Sequence, residues 1–358
     1  MRKYVRATVV TAAIAGNVVL AGLGLTPTVA AAHAVNATAG TQAAWQDRAP
    51  SPDKRAEVGV AALGGDVYVV GGTLQHDAGP TAWATTSVTS YNPHRDRWSQ
   101  HAPLPRALTH VGVAALGGKL YAFGGFTSPV HMNPQSVAYV YDPRLDRWDQ
   151  LPDMPENLGS VTVAAVDGKL HLLGGRDSHQ IVTPPGSPFS MGFGTVRTHL
   201  VYDPAHRGWS TAQPLPAAAR DHAGVAVIGH RIHVFGGRVA DVGDNLNRHD
   251  VYDTRTGRWT QAAPLPVPRS SGASVVLNGQ IVYAGGECRP GSDTDAFNDV
   301  TVYNPRTNRW TTTAPLPQAR HAFGAARVGN RAYFIGGAPT CGGGASSDTL
   351  QLTLRQTH

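Results

Sequence analysis

The stretch "YAGGECRPGS", residues 283–292, sets a carboxylate and a thiol directly after a pair of glycines. Ionised, Glu287 can accept hydrogen bonds from the hydroxyls of a ligand. Held near neutrality, it could instead act as a general base, which makes it the one candidate catalytic residue. Cys288 is one of two cysteines in the 358-residue chain, and Cys341 is its one possible partner within it. Arg176 and Arg238 each follow a Gly-Gly as Glu287 does, and Arg220, Arg269 and Arg320 each stand 16 residues before the first glycine of such a pair. Guanidinium groups meet carboxylate or phosphate oxygens two at a time, so this set around one glutamate favours a ligand carrying those groups. A carboxylate among so many guanidinium groups stays ionised, which favours binding over proton transfer.

The elements that must position these residues come as a repeat. "VYVVGG" at 67–72 returns as "LYAFGG" at 120–125, "LHLLGG" at 170–175, "IHVFGG" at 232–237, "IVYAGG" at 281–286 and "AYFIGG" at 332–337. The spacings between successive pairs are 53, 50, 62, 49 and 51 residues, a period near 50. Trp45, Trp98, Trp148, Trp209, Trp259 and Trp310 precede the pairs by 26 residues, or 27 for Trp209. A Tyr stands seven residues before each of the last five. Between Tyr and Trp lie turn sequences such as "NPHRDR" and "DPRLDR". Each unit therefore reads as four short strands, a to d, with the Tyr ending c and the Trp beginning d. Such a sheet cannot cover both of its faces alone, and a radial ring lets each cover its neighbour.

Strands that run alternately up and down put the b–c and d–a connections on one face. The b–c segments vary in length and sequence, and variable loops on a rigid frame are where function sits. Thr73, Phe126, Arg176, Arg238, Glu287 and Ala338 follow the glycine pairs and should point into the mouth of a central funnel. The d–a column reads Arg55, Leu108, Leu158, Arg220, Arg269 and Arg320; two residues on it reads Glu57, His110, Ser160, His222, Ser271 and Ala322. From these columns, Arg176, Arg238, Glu287, Arg220, His222, Arg269, Arg320, His110 and Phe126 are candidate ligand-binding residues. The bland alternative for each column arginine is a brace to backbone carbonyls or acids of the blades. Trp83 belongs to no column; it could stack on a sugar ring or plug its own loop. Phe189, Met191 and Phe193 in the third b–c segment could form a lid or that segment's own small core. Cys288 and Cys341 follow glycine pairs of successive repeats, so they should share a face on adjacent blades and form a disulfide.

The hydrophobic run ending in Gly-Gly, then Tyr, then Trp resembles the kelch family over roughly residues 43–354. That resemblance implies an all-β fold, a six-bladed propeller with four antiparallel strands per blade. It also implies that the funnel mouth is the ligand face. Trp45 has no repeat before it, and "DTLQLTL" at 348–354 has no Trp after it. The strand around Trp45 should therefore be the outer strand of the last blade. "GECRPG" at 286–291 is similar to the Gly-Glu-x-Lys-Pro-Gly stretch of the periplasmic sialic acid mutarotases, which places Glu287 at that family's acid. The functional arginine six residues later falls on Asp293, a charge reversal. Arg289, Arg238 or Arg269 are the possible substitutes. The galactose oxidase-like kelch enzymes are the more distant relatives: their copper ligands and C-terminal domain have no counterpart here.

The chain holds 41 Gly and 26 Pro, a composition suited to short strands and turns. A basic start (Arg2, Lys3, Arg6), a long uncharged Ala/Val/Leu run and small residues at 30–34 read as a secretory signal cut after Ala34 or Ala32, with an uncleaved anchor as the alternative. The expected layout is a signal at 1–34, a linker at 35–42, the propeller at 43–354 and a tail at 355–358. Loss of the signal leaves 27 bases against 24 acids. That weak balance, without a basic cluster, argues against nucleic acid and anionic membrane as partners. No further span of membrane length follows. No His/Cys group has zinc spacing, and "DTDAFND" at 293–299 lacks the Gly and Glu of a calcium loop, so no metal and no cofactor are expected. The expectation is a secreted monomer in the extracellular space or cell envelope. It binds a saccharide, an anionic small molecule, or a protein or cell-wall partner; an acidic-sugar epimerase is the competing reading.

Overall fold

Strand formation begins with the hairpin that opens each blade. In the first, Gly59–Leu63 and Asp66–Val70 are joined by Gly64 and Gly65, whose φ values are 63° and 93°. Positive φ at both central residues is what a two-residue hairpin needs to match strand twist. Strand b carries the apolar run "VYVV", and all four side chains are buried because sheets cover both its faces. Val88–Asn92 and Arg97–Gln100 complete the blade, and four further sheets repeat this order.

The computed structural model describes residues 41–75, 82–128, 131–183, 191–240, 242–289, 291 and 295–356. The expected signal lies outside the described residues, as does residues 35–40 of the expected linker. Six four-stranded antiparallel sheets form a β-propeller, with one 3₁₀ turn among the described residues, at Val242–Asp244. The sixth blade is composite: Thr41–Asp47 pairs with Thr349–Gln356, outside Arg331–Ile335 and Gly324–Val328. Trp45 lies opposite Leu352 there, as Trp98 lies opposite Tyr91 and Trp310 opposite Tyr303. The closure expected from the unmatched Trp45 is thus present.

Tryptophan joins blade to blade. The indole Nε1–H of Trp98 donates to Ala49 O at 2.8 Å, and that of Trp310 to Ala263 O at 2.9 Å. All six repeat tryptophans make this bond to the segment that follows the preceding blade's outer strand. The rings fill the wedge: Tyr91 packs on Trp98 within its blade and on Tyr333 of the sixth, at centroid distances of 5.4 and 5.6 Å. Such pairs add about 0.5–1.5 kcal/mol each beyond the area they bury.

The b–c connections are not plain loops. Phe126–Ser128 pairs with Met132–Pro134, Arg176–Val182 with Met191–Thr195, and Thr73–Gln75 with both Arg55–Ala56 and Ala82–Ala84. These small sheets stand on the funnel face. Among the described residues no helix is long and apolar enough to cross a membrane.

Candidate functional site

The glycine pair fixes how the blades meet at the axis. Gly285 and Gly286 have φ of 68° and 144°. A Cβ on Gly285 would lie 2.3 Å from the carbonyl oxygen of Arg320 in the next blade. That same oxygen accepts the Gly286 N–H at 3.0 Å. Only glycine permits both the backbone angle and the approach. The bond recurs around the ring, from Gly72 to Leu108 O through Gly337 to Arg55 O.

The column that starts at Glu57 forms the inner rim. Glu57, His110, Ser160, His222, Ser271 and Ala322 all have φ between 49° and 58°. Their amides hydrogen-bond round the axis: Glu57 N to Ala322 O, His110 N to Glu57 O, Ser160 N to His110 O, Ser271 N to His222 O and Ala322 N to Ser271 O, at 2.7–3.1 Å. The residues carrying the side chains at the axis are therefore held by backbone bonds rather than by loop packing.

Above this rim the funnel encloses about 340 Å³. Glu57, His110, His131, Arg238, Glu287 and His321 supply its ionisable lining, beside the hydroxyls of Thr73 and Thr109. Arg238 donates through Nη1 to Glu287 Oε2, and its Nε lies 3.6 Å from Asp221 Oδ1. Burial acts to raise the Glu287 carboxyl, but Arg238, His321 and His222 together outweigh it and the pKa falls below the ordinary value. Burial acts likewise on Glu57, and the histidines around it, His110 first, hold it well below the usual carboxylate range. Burial acts to raise Asp221 too, but His222, Arg238 and Arg176 pull it far down. Burial and neighbouring cations push the imidazoles of His131 and His222 down, so both are neutral at neutral pH. Three carboxylates, Glu57, Asp221 and Glu287, thus stand against two guanidinium groups, Arg176 and Arg238.

The expected residues divide in two. Arg238, Glu287 and His110 line the cavity, and His222 lies in the rim below it. Arg176 is buried at the wall, where it donates to Asp221 at 2.5 Å, Gly192 O at 2.8 Å and Ala240 O at 2.7 Å, over the ring of Phe193. Phe126 is fully buried and packs on His110 and His131. The cluster of five arginines around Glu287 does not form. Arg220 turns to Asp250 at 2.5 Å; Arg269 to Asp299 O and Thr301 Oγ1 at 3.0 and 2.6 Å; Arg320 to Gly336 O and Asp348 at 3.1 and 2.7 Å. They brace strands b and c, because a buried guanidinium must satisfy its donors where carbonyls and acids are at hand. Met191 lines the cavity. Trp83 pairs by its backbone with Leu74, while its side chain and Phe189 lie outside the described residues. Cys288 and Cys341 are bonded at the cavity edge, with Cα atoms 4.7 Å apart.

Asp221 and His321 escaped the sequence reading although they stand one place after the column arginines, between the two columns that were read. His131 sits in a b–c hairpin with no repeat position, and only its place in space reveals it. No spacing along the chain links all three, yet His110, His131 and His222 bring ligand atoms within 4.8 Å of one another.

A family model described as the KLHDC2/KLHL20/DRC7 Kelch-repeats domain matches residues 194–337, and a Kelch motif model matches residues 107–155. The Kelch-like protein terF of Aspergillus terreus is 31% identical over 275 residues, which are 75% of this chain and 57% of that protein. Kelch-like protein 13 of Homo sapiens is 39% identical over 82 residues, 23% of this chain and 12% of the relative. The chain thus spans little more than half of the first relative and a small part of the second. The solved structure of YjhT superposes with a TM-score of 0.70 over 86% of this chain and 99% of that one, at 18% identity, a likeness of fold. Repeat, ring geometry and relatives agree that the chain belongs to the kelch-repeat β-propellers.

Proposed function

We propose that the chain is an exported binding protein that takes a hydroxyl-rich ligand, a saccharide in the first place, into the funnel mouth. The observation that carries this reading is the cavity lining. Two ionised carboxylates, Glu57 and Glu287, are held rigidly beside the imidazoles of His110, His131 and His321 in about 340 Å³, the small end of the range of ligand pockets. Rigid carboxylates orient sugar hydroxyls by accepting from them. An anionic ligand has less support, because Arg176 and Arg238 already meet Asp221 and Glu287. Proton transfer by Glu287 has little support either, because its pKa is lowered. The apolar run at the N-terminus supports export.

The test is a glycan array with the mature protein, followed by calorimetric titration of the best hit. Gly343 lines the cavity, and a Cβ built there meets no other atom within 4 Å. Gly343→Trp should block the mouth, weakening a hit at least tenfold while the melting temperature stays within about 2 °C of the parent, since surface changes seldom cost more than about 0.5 kcal/mol. No hit on the array, or a hit that binds Gly343→Trp equally well, would overturn the reading.

A further inference from the structure

Three histidines from distant parts of the sequence meet where the funnel narrows. His110 and His222 come from the inner rim of the second and fourth blades, and His131 descends from the hairpin of the second. Their ring centroids lie 4.8, 5.2 and 5.3 Å apart, and each pair stands edge to face at 68–85°. Among the described residues no hydrogen bond joins the three rings. The two buried histidine pairs inside the blades behave differently: His171 and His199 share a hydrogen bond of 2.8 Å, and His233 and His249 one of 2.9 Å. Those pairs satisfy each other. The trio at the axis does not.

We propose that His110, His131 and His222, with Glu57, form a site for a divalent transition-metal ion, Zn²⁺ in the first place. The Nε2 of His110 is buried and faces Glu57 Oε2 at 3.1 Å. The same oxygen lies 4.0 Å from His222 Nε2. One carboxylate and three imidazoles make a four-coordinate set of the donors that zinc and its neighbours take, and imidazole donors disfavour Ca²⁺ and Mg²⁺.

Groups behind the ligands would orient them. Thr109 Oγ1 lies 3.0 Å from His110 Nδ1, and Asp221 Oδ2 lies 3.2 Å from His222 Nδ1, which leaves Nε2 of both rings towards the centre. Zn–N bonds of about 2.0–2.1 Å at the tetrahedral angle put ligand atoms roughly 3.3 Å apart. The present separations reach 4.8 Å, so the rings must draw in around an ion. Two cations oppose it: Arg238 Nη2 is 3.4 Å from His222 Nε2, and Arg176 Nη1 is 3.4 Å from His131 Nδ1. Glu57, Asp221 and Glu287 outnumber them, and an ion would displace Arg238 from His222 towards Glu287, to which it already donates.

This site does not depend on the saccharide reading and is measured without sugar. Tag-free protein, stripped with chelator, is titrated with ZnCl₂ by calorimetry and dialysed against it for metal analysis. One tightly held equivalent is expected. His131→Asn and His222→Asn keep a residue that tolerates the positive φ of both positions and should weaken binding at least tenfold. Less than half an equivalent on the parent, or unchanged affinity in both variants, overturns the site. Should the variants unfold by circular dichroism, Cu²⁺ electron paramagnetic resonance on the parent decides: hyperfine coupling from two or more imidazole nitrogens supports the site, and none sinks it.

Discussion

Glu287 is part of a buried chain of charges, and that alters what its neighbours are for. Arg238 joins Glu287 to Asp221, Asp221 also holds Arg176, and all four are buried. Burial works against the Arg238 guanidinium, and the two acids more than restore its charge. Removing one member of such a set strands the others, which typically costs about 3–5 kcal/mol. Arg238→Met should therefore lower the urea-unfolding free energy by about that amount. A loss under about 1 kcal/mol would mean that water already satisfies Glu287 and Asp221. The same logic cautions against reading Glu287 through its neutral substitute alone, because binding and stability would change together.

At the scale of the blade, buried histidines make stability depend on pH. His171 and His233 occupy the place in strand b where other blades carry Tyr68, Tyr121 and Tyr333, and each bonds to a histidine of strand c. Burial lowers His171, His199 and His249 to about 4 and His233 to about 3. The unfolded chain binds these protons near pH 6.5, while the folded chain refuses them until about pH 4, or about 3 for His233. Their contribution is therefore whole above about pH 6.5 and is lost as pH falls from there to about 4, by several kcal/mol in total. Urea midpoints at pH 7.5 and pH 4.5 measure it. The double change His233→Tyr with His249→Val installs the Tyr68 and Val88 pair of the first blade and should remove a large share of the slope. An unchanged slope would place the acid sensitivity elsewhere.

For the molecule as a whole, the ring is closed by a strand from the other end of the chain. Thr41–Asp47 caps Thr349–Gln356, and Trp45 lies edge-on to Phe334 at 5.2 Å. Removing residues up to 47 would bare a strand edge and the wedge that Trp45 fills. The expected cost is about 3 kcal/mol or more, with a lower melting temperature and concentration-dependent aggregation. A truncated chain that melts like the parent would show that five complete blades and three strands suffice. The Cys288–Cys341 bridge ties the fifth blade to the sixth on the funnel side, next to the seam that this strand closes on the outside.

Blade number, strand order, the closing strand and the paired cysteines were legible in the order of residues. All depend on short-range rules with a regular period: apolar runs that need covering, glycines that alone allow the φ and the close carbonyl, and a Trp at a constant interval. The column after the glycine pairs and the one two residues past the d–a column likewise put Glu57, His110, His222, Arg238 and Glu287 near the axis, because spacing along a repeat places the Cα. Spacing does not place the end of a long side chain. Arg220, Arg269 and Arg320 share their column register, yet their guanidinium groups turn into their own blades, where buried carbonyls and acids outbid an open funnel. Nor does spacing reach a segment outside the repeat. His131 enters the site from a hairpin of irregular length, so the meeting of three imidazoles arises from packing across the axis and has no linear trace.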